Sequence, residues 1–271
     1  MRPAAPRSDS FAMSQPNIVA PTGPTVALVH GAFADSTGWT GVIERLTAAG
    51  VRAVAISNPL RGIAHDAAYV ASALGQIPGP VLAVGHSYGG AIISNAAARP
   101  GNVVGLVYVA AFAPDEGEKL QEIESGSTDS VLNSALVELQ YPTGEDGGTA
   151  TEFAIDAGKF HHAFAADVSP EQAALMAATQ RPVSAFGFLE PNGPPAWKTL
   201  PCWAVVATGD LAAGSDVVRS MAQRAGMTIT EVEGSHVVFI SKPQVVADVI
   251  LQALETLSPS GAGTAVAAAV L

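Results

Sequence analysis

Six short apolar runs, rich in β-branched residues, punctuate the chain: TVALV (25–29), VRAVAI (51–56), VLAVG (81–85), VVGLVYVA (103–110), CWAVVAT (202–208) and MTITEV (227–232). Most are apolar at successive rather than alternate positions, the pattern of strands buried on both faces. Five of them are followed by amphipathic, alanine-rich segments near 39–49, 64–75, 88–98, 215–225 and 243–256. Ser215 and Ser241 fall where N-caps belong, and Pro243 suits a first helical turn. This alternation predicts an α/β fold: a mainly parallel, six-stranded sheet with right-handed crossovers, flanked by helices.

The alternation breaks once. Residues 112–200 separate the fourth run from the fifth, a stretch too long for a loop in a compact domain. It is richer in Pro, Gly, Glu and Phe, with helix-like stretches near 129–140, 151–165 and 170–179. The expected organisation is a core of 25–111 and 201–257, with 112–200 inserted as a helical cap. Residues 1–24 are proline-rich and lack periodicity, as a flexible leader would, and the small-residue tail 258–271 reads as flexible too. Arg2 and Arg7 are not followed by an apolar stretch of signal-peptide length, so a cytoplasmic location is expected.

Composition narrows the function classes. The 271 residues carry 24 acidic and 13 basic side chains, a formal net charge of −11. Such a chain offers no patch for releasing counterions from phosphates, so nucleic acid is not an expected partner. Hydrophobic residues at 48% against charged ones at 14% exclude an intrinsically disordered chain. The one cysteine, Cys202, excludes an internal disulfide and a cysteine metal cluster. No apolar run reaches the roughly 18 residues that a membrane span needs.

The chemistry concentrates at strand ends. The third run leads directly into Gly85-His86-Ser87-Tyr88-Gly89-Gly90 and a helical segment. This is G-x-S-x-G between strand and helix, the context of a nucleophile elbow. Ser87 would project from the carboxyl end of the sheet, at a positive helix terminus. The first run ends in His30-Gly31-Ala32-Phe33, where a loop amide, most plausibly that of Ala32, joins the Tyr88 amide as oxyanion donor. Phe33 and Tyr88 are the best placed to contact substrate. His30 serves to fix its loop. A serine nucleophile needs a base, and the base an orienting acid. His236, after the last strand, is the candidate base. Asp210, after the fifth, is the candidate acid and gives the order Ser…Asp…His; Asp115, after the fourth strand, competes with it, and Asp216 suits the first turn of the next helix.

At this point the sequence resembles the α/β-hydrolase superfamily. More closely, it resembles small bacterial esterases related to plant methyl-ester esterases and hydroxynitrile lyases. The resemblance rests on LVHGAFADSTGW (28–39), NPLRG (58–62), VGHSYGGAII (84–93), VYVAAFAPDEGE (107–118), MAATQRP (176–182), PAWKTLPCW (195–203) and 221–243 from MAQRAG through GSHVVFISKP. It implies Ser87, Asp210 and His236 as the triad, Ala32 and Tyr88 as oxyanion donors, and a six-stranded core without the first two strands of larger hydrolases. Relatives often read T-x-D-R after the fifth strand; here it is Thr208-Gly209-Asp210-Leu211.

These readings lead to a cofactor-independent serine carboxylesterase acting on small to medium, fairly apolar esters, with no metal. The expected partner is a small-molecule ester, with neither nucleic acid nor membrane; a homodimer is compatible with the sequence. Two alternatives remain open. One is lyase or perhydrolase chemistry on the same triad, where a hydroxynitrile lyase would need a charged group such as Lys119, Lys159 or Lys198. The other is a ligand receptor built on a hydrolase fold.

Overall fold

The computed structural model describes residues 23–144 and 147–258; most of the leader and tail fall outside them. The chain begins with β1 (Thr25–Val29), α1 (Thr40–Ala48), β2 (Ala53–Ile56), α2 (Ile63–Gly75), β3 (Val81–His86), α3 (Tyr88–Ala96) and β4 (Val103–Val109). Then come α4 (Leu120–Ser125), β5 (Leu136–Pro142), β6 (Thr149–Ile155), α5 (Ala157–Phe164), α6 (Pro170–Thr179), β7 (Val183–Ser184) and α7 (Phe186–Leu189). It closes with β8 (Cys202–Ala207), α8 (Ser215–Arg224), β9 (Thr228–Val232), α9 (Val238–Ser241) and α10 (Pro243–Leu257).

The main sheet has six strands in the order β2-β1-β3-β4-β8-β9, and each neighbouring pair is parallel. Every residue of the inner strands β1, β3 and β8 is buried, while β2 and β9 at the edges are partly exposed. Burial explains the continuous apolar runs: each fully buried Val or Leu contributes about 1.5–3 kcal/mol relative to exposure. Chain order and sheet order part company at β1, which lies between β2 and β3. In open parallel sheets such a switch point opens a crevice at the carboxyl ends of the strands. Here it is bordered by the loop after β1 and the turn after β3.

Two local expectations need correction. Ser215 is the first residue of α8, whose cap is Gly214, and its hydroxyl donates to Asp129. Ser241 precedes the cap Lys242, and its hydroxyl donates to Asp167. Pro243 does occupy the first turn of α10.

The stretch between β4 and β8 is mixed rather than helical. A short 3-10 turn (Leu132–Ala135) and β5 replace the helix expected over 129–140. The one expected over 151–165 is split into β6 and α5. The break falls at Asp156, whose carboxylate accepts the Gly158 amide as an N-cap. β5, β6 and β7 form a separate antiparallel sheet. Only α6 matches its expectation, capped by the Ser169 hydroxyl with Pro170 in its first turn. Among the described residues, no helix is long and apolar enough to cross a membrane.

Candidate active site

Ser87 joins β3 to α3 with φ 53° and ψ −126°. A non-glycine residue held in this region costs on the order of 1–3 kcal/mol, so its surroundings must impose the conformation. They do so by close approach. A Cβ on Gly89 would lie 2.5 Å from the Val29 carbonyl oxygen, so only glycine lets α3 start this close to β1. A Cβ on Gly31 would lie 2.6 Å from the Ser87 Cβ, which places the loop after β1 directly against the nucleophile candidate.

That loop carries Ala32 and Phe33, both buried. The Tyr88 amide, first in α3, has no intrahelical acceptor. Among the described residues, neither it nor the Ala32 amide donates a hydrogen bond. Buried amides are normally paired, and these two lie in the turn after Ser87 and in the loop packed against it.

His236 follows β9 and is buried. Its Nδ1–H donates to Asp210 Oδ2 at 2.8 Å. Asp210 Oδ1 in turn accepts the amides of Ala212 (2.9 Å) and Ala213 (3.0 Å) in the turn after β8. The carboxylate is thus fixed by its own loop despite Leu211 following it. His236 reaches the Ser87 turn through His86, whose Nε2–H donates to the His236 carbonyl at 3.0 Å. Phe164 of α5 packs over the His236 ring at 4.9 Å between centroids. Asp115 instead pairs with Lys198 at the surface. Asp216 receives the Ser127 hydroxyl and the Thr128 amide; burial acts to raise its carboxyl, but these bonds outweigh it and bring it down to about 2.

His30 holds the loop after β1, as its position suggested. Its Nε2 accepts the Asn58 amide at 2.9 Å, so Nδ1 carries the proton and donates to the Gly31 carbonyl. Arg181 also reaches this nitrogen, at 3.2 Å, and the Asn58 carbonyl, at 2.9 Å. The contact spans 151 positions, and no local pattern pointed to Arg181. Burial pushes His30 down to about 4 from 6.5, against the Gly31 hydrogen bond that raises it. Between those values the unfolded chain binds a proton that the folded one refuses. The stability contributed is complete above pH 6.5 and is lost as pH falls through about 4, on the order of 3 kcal/mol. Urea unfolding at pH 7.5 and 4.5 should register this loss, and His30→Asn should remove the His30 share of it while leaving that of the equally buried His86.

The Tyr88 hydroxyl donates to the buried Asp66 at 2.9 Å, and its ring lies against α7, where a Cβ on Gly187 would come within 3.2 Å of it. The Phe33 ring packs 6.5 Å from that of Phe188. Phe188 lines a cavity of about 300 Å³ together with Glu124, Leu132, Leu136, Glu138 and Phe153. On its other side, the segment bearing Leu132 is bonded to the Asp210 turn: the Val131 amide donates to Leu211 and the Ser130 hydroxyl to Ala212. The cavity thus reaches the loop after β1 through Phe188 and the Asp210 turn through the segment bearing Leu132, while Ser87, Asp210 and His236 are not among its lining residues. Lys119 pairs with Glu122, Lys198 with Asp115, and Lys159 donates to the Ser134 carbonyl; none of the three lines the cavity.

The alpha/beta hydrolase family profile matches residues 26–249. The chain belongs to that family. Solved structures of the same fold include polyneuridine aldehyde esterase, at TM-score 0.73 and 18% identity over 85% of this chain and 99% of the other. A pyrethroid hydrolase from Sphingobium faniae superposes at TM-score 0.70 and 20% identity over 86% and 97%. A methylesterase from Arabidopsis does so at 0.70 and 19% over 86% and 99%. No curated protein matches the sequence. At such identities the likeness of this alpha/beta hydrolase to its neighbours is one of fold, and what it acts on must be argued from its own side chains.

Proposed function

We propose that this alpha/beta hydrolase is a cofactor-independent serine carboxylesterase. The observation that carries the reading is the strained Ser87, next to two bare amides and linked through its neighbour His86 to a buried His236–Asp210 pair. With Nδ1 committed to Asp210, Nε2 of His236 is the nitrogen left to take the Ser87 proton. Oγ attacks the ester carbonyl carbon, and the resulting oxyanion is held by the Ala32 and Tyr88 amides. Collapse breaks the C–O bond, and the imidazolium protonates the departing alcohol. Water, deprotonated by His236, then attacks the acyl-enzyme, releases the acid and restores Ser87. Residues 112–200 act as the cap that shapes the substrate pocket, with Phe33 against the substrate.

We assign the cavity beside Phe188 to the acyl or alcohol group of that substrate. Its volume of about 300 Å³ is at the small end of ligand pockets, which run from about 300 to 1,000 Å³. Phe153, Phe188, Leu132 and Leu136 suit an apolar acyl or alcohol group, and Glu124 and Glu138 disfavour one with a free carboxylate. Among p-nitrophenyl esters from acetyl to dodecanoyl, kcat/KM should peak at a short to medium acyl chain. The succinyl half-ester should be poorer than the butanoyl ester. A dodecanoyl optimum would remove the pocket assignment; no turnover of any ester would overturn the esterase reading.

A further inference from the structure

His86 precedes Ser87 and is fully buried, yet the mechanism above gives it no proton to move. Its Nε2–H donates to the His236 carbonyl at 3.0 Å. Its ring lies 4.7 Å from the His236 ring and 4.4 Å from that of Phe239, between centroids. Its Nδ1 is buried and meets no partner among the described residues; it faces Gly31, where a Cβ would come within 3.1 Å of it. A bare buried nitrogen is a costly way to fill core space, since an apolar side chain would leave nothing unpaired. What imidazole adds here is a single donor, aimed at residue 236.

We propose that His86 is a positioning residue that fixes the backbone and ring of His236 relative to Ser87. His236 sits in the connection between β9 and α9, and its side chain is anchored at Nδ1 by Asp210. One anchor leaves the ring free to tilt about that bond. The His86 hydrogen bond supplies a second anchor at the carbonyl, and the His86 ring, tilted 53° against that of His236, limits its movement. Because His86 is covalently joined to Ser87, a shift of the turn carries His236 with it, and the separation of base from nucleophile is preserved. Burial, reinforced by the charge that His236 can carry, holds His86 well below its ordinary pKa. His86 therefore stays neutral when His236 takes up a proton.

The kinetic arm of the test rests on the esterase reading; the spectroscopic arm does not. His86→Phe keeps an aromatic ring, somewhat larger than imidazole, and loses the donor, while His86→Gln keeps a donor for the same carbonyl. On p-nitrophenyl butanoate, His86→Phe should lower kcat by about tenfold to a hundredfold with KM within about twofold, the scale expected for a displaced catalytic group. His86→Gln should recover most of kcat. In proton spectra, the downfield Nδ1–H signal shared by His236 and Asp210 should shift or broaden in His86→Phe and return in His86→Gln. His86→Met serves as the donor-free variant if the phenylalanine variant does not fold. Unchanged kcat and an unchanged downfield signal in a donor-free variant would overturn the proposal. So would equal losses in the Phe and Gln variants that track only a lower Tm. If the wild type hydrolyses no ester, the esterase reading falls, and the downfield signal still decides the role of His86.

Discussion

Ser87→Ala should lower kcat for p-nitrophenyl esters by about a millionfold, the scale seen when a serine nucleophile is removed from such an assembly. The residual rate should still exceed that of water, because the bare Ala32 and Tyr88 amides remain to hold an oxyanion. Stability separates this loss from unfolding. Alanine inherits the φ of 53°, so Tm should barely move. Ser87→Gly, equally inactive, should be more stable than the wild type by about 1 kcal/mol or more, because glycine takes positive φ without strain. Burst kinetics and thermal unfolding of the two variants check both statements. An inactive glycine variant that gained no stability would mean that the backbone at residue 87 stores no strain.

Asp210→Asn should cost about four decades in kcat with little change in KM. The asparagine carbonyl can still accept the Ala212 and Ala213 amides, so the turn keeps its shape. Its amide nitrogen, however, now faces His236 Nδ1 as a donor. Nδ1 becomes the acceptor and the proton moves to Nε2, leaving no lone pair for the Ser87 proton. Asp115→Asn is the matched control. Its carboxylate pairs with Lys198 at the surface, so kcat should stay near that of the wild type. The reverse ranking, with Asp115→Asn the more damaging, would reassign the acid.

The main sheet was legible because its strands obey a local rule. A strand buried on both faces is apolar at nearly every position, and β1, β3, β4 and β8 are, with Thr25 and His86 the polar exceptions at their ends. The Ser87 turn was legible because backbone geometry demands glycine at fixed offsets, as the close approach of Gly89 to Val29 illustrates. The stretch between β4 and β8 was not. β5 is mostly exposed, and its LVELQ carries the helix-favouring Leu, Glu and Gln; its pairing with β6 is fixed across the chain and outweighs local propensity. Asp156 was a readable N-cap within the segment taken as one helix. Candidate site residues can be proposed at strand ends because the topology of a parallel sheet collects ligand sites there. Arg181 and the tie from His86 to His236 depend on contacts spanning 151 and 150 positions, and no periodicity encodes them.

The proposed mechanism stands or falls on Ser87 as the nucleophile. Labelling the wild type with a fluorophosphonate and mapping the adduct by peptide mass spectrometry tests it most directly. One adduct per chain is expected, on the peptide containing Ser87, with a markedly slower reaction in Asp210→Asn. An adduct at another residue, or none at all, would contradict it.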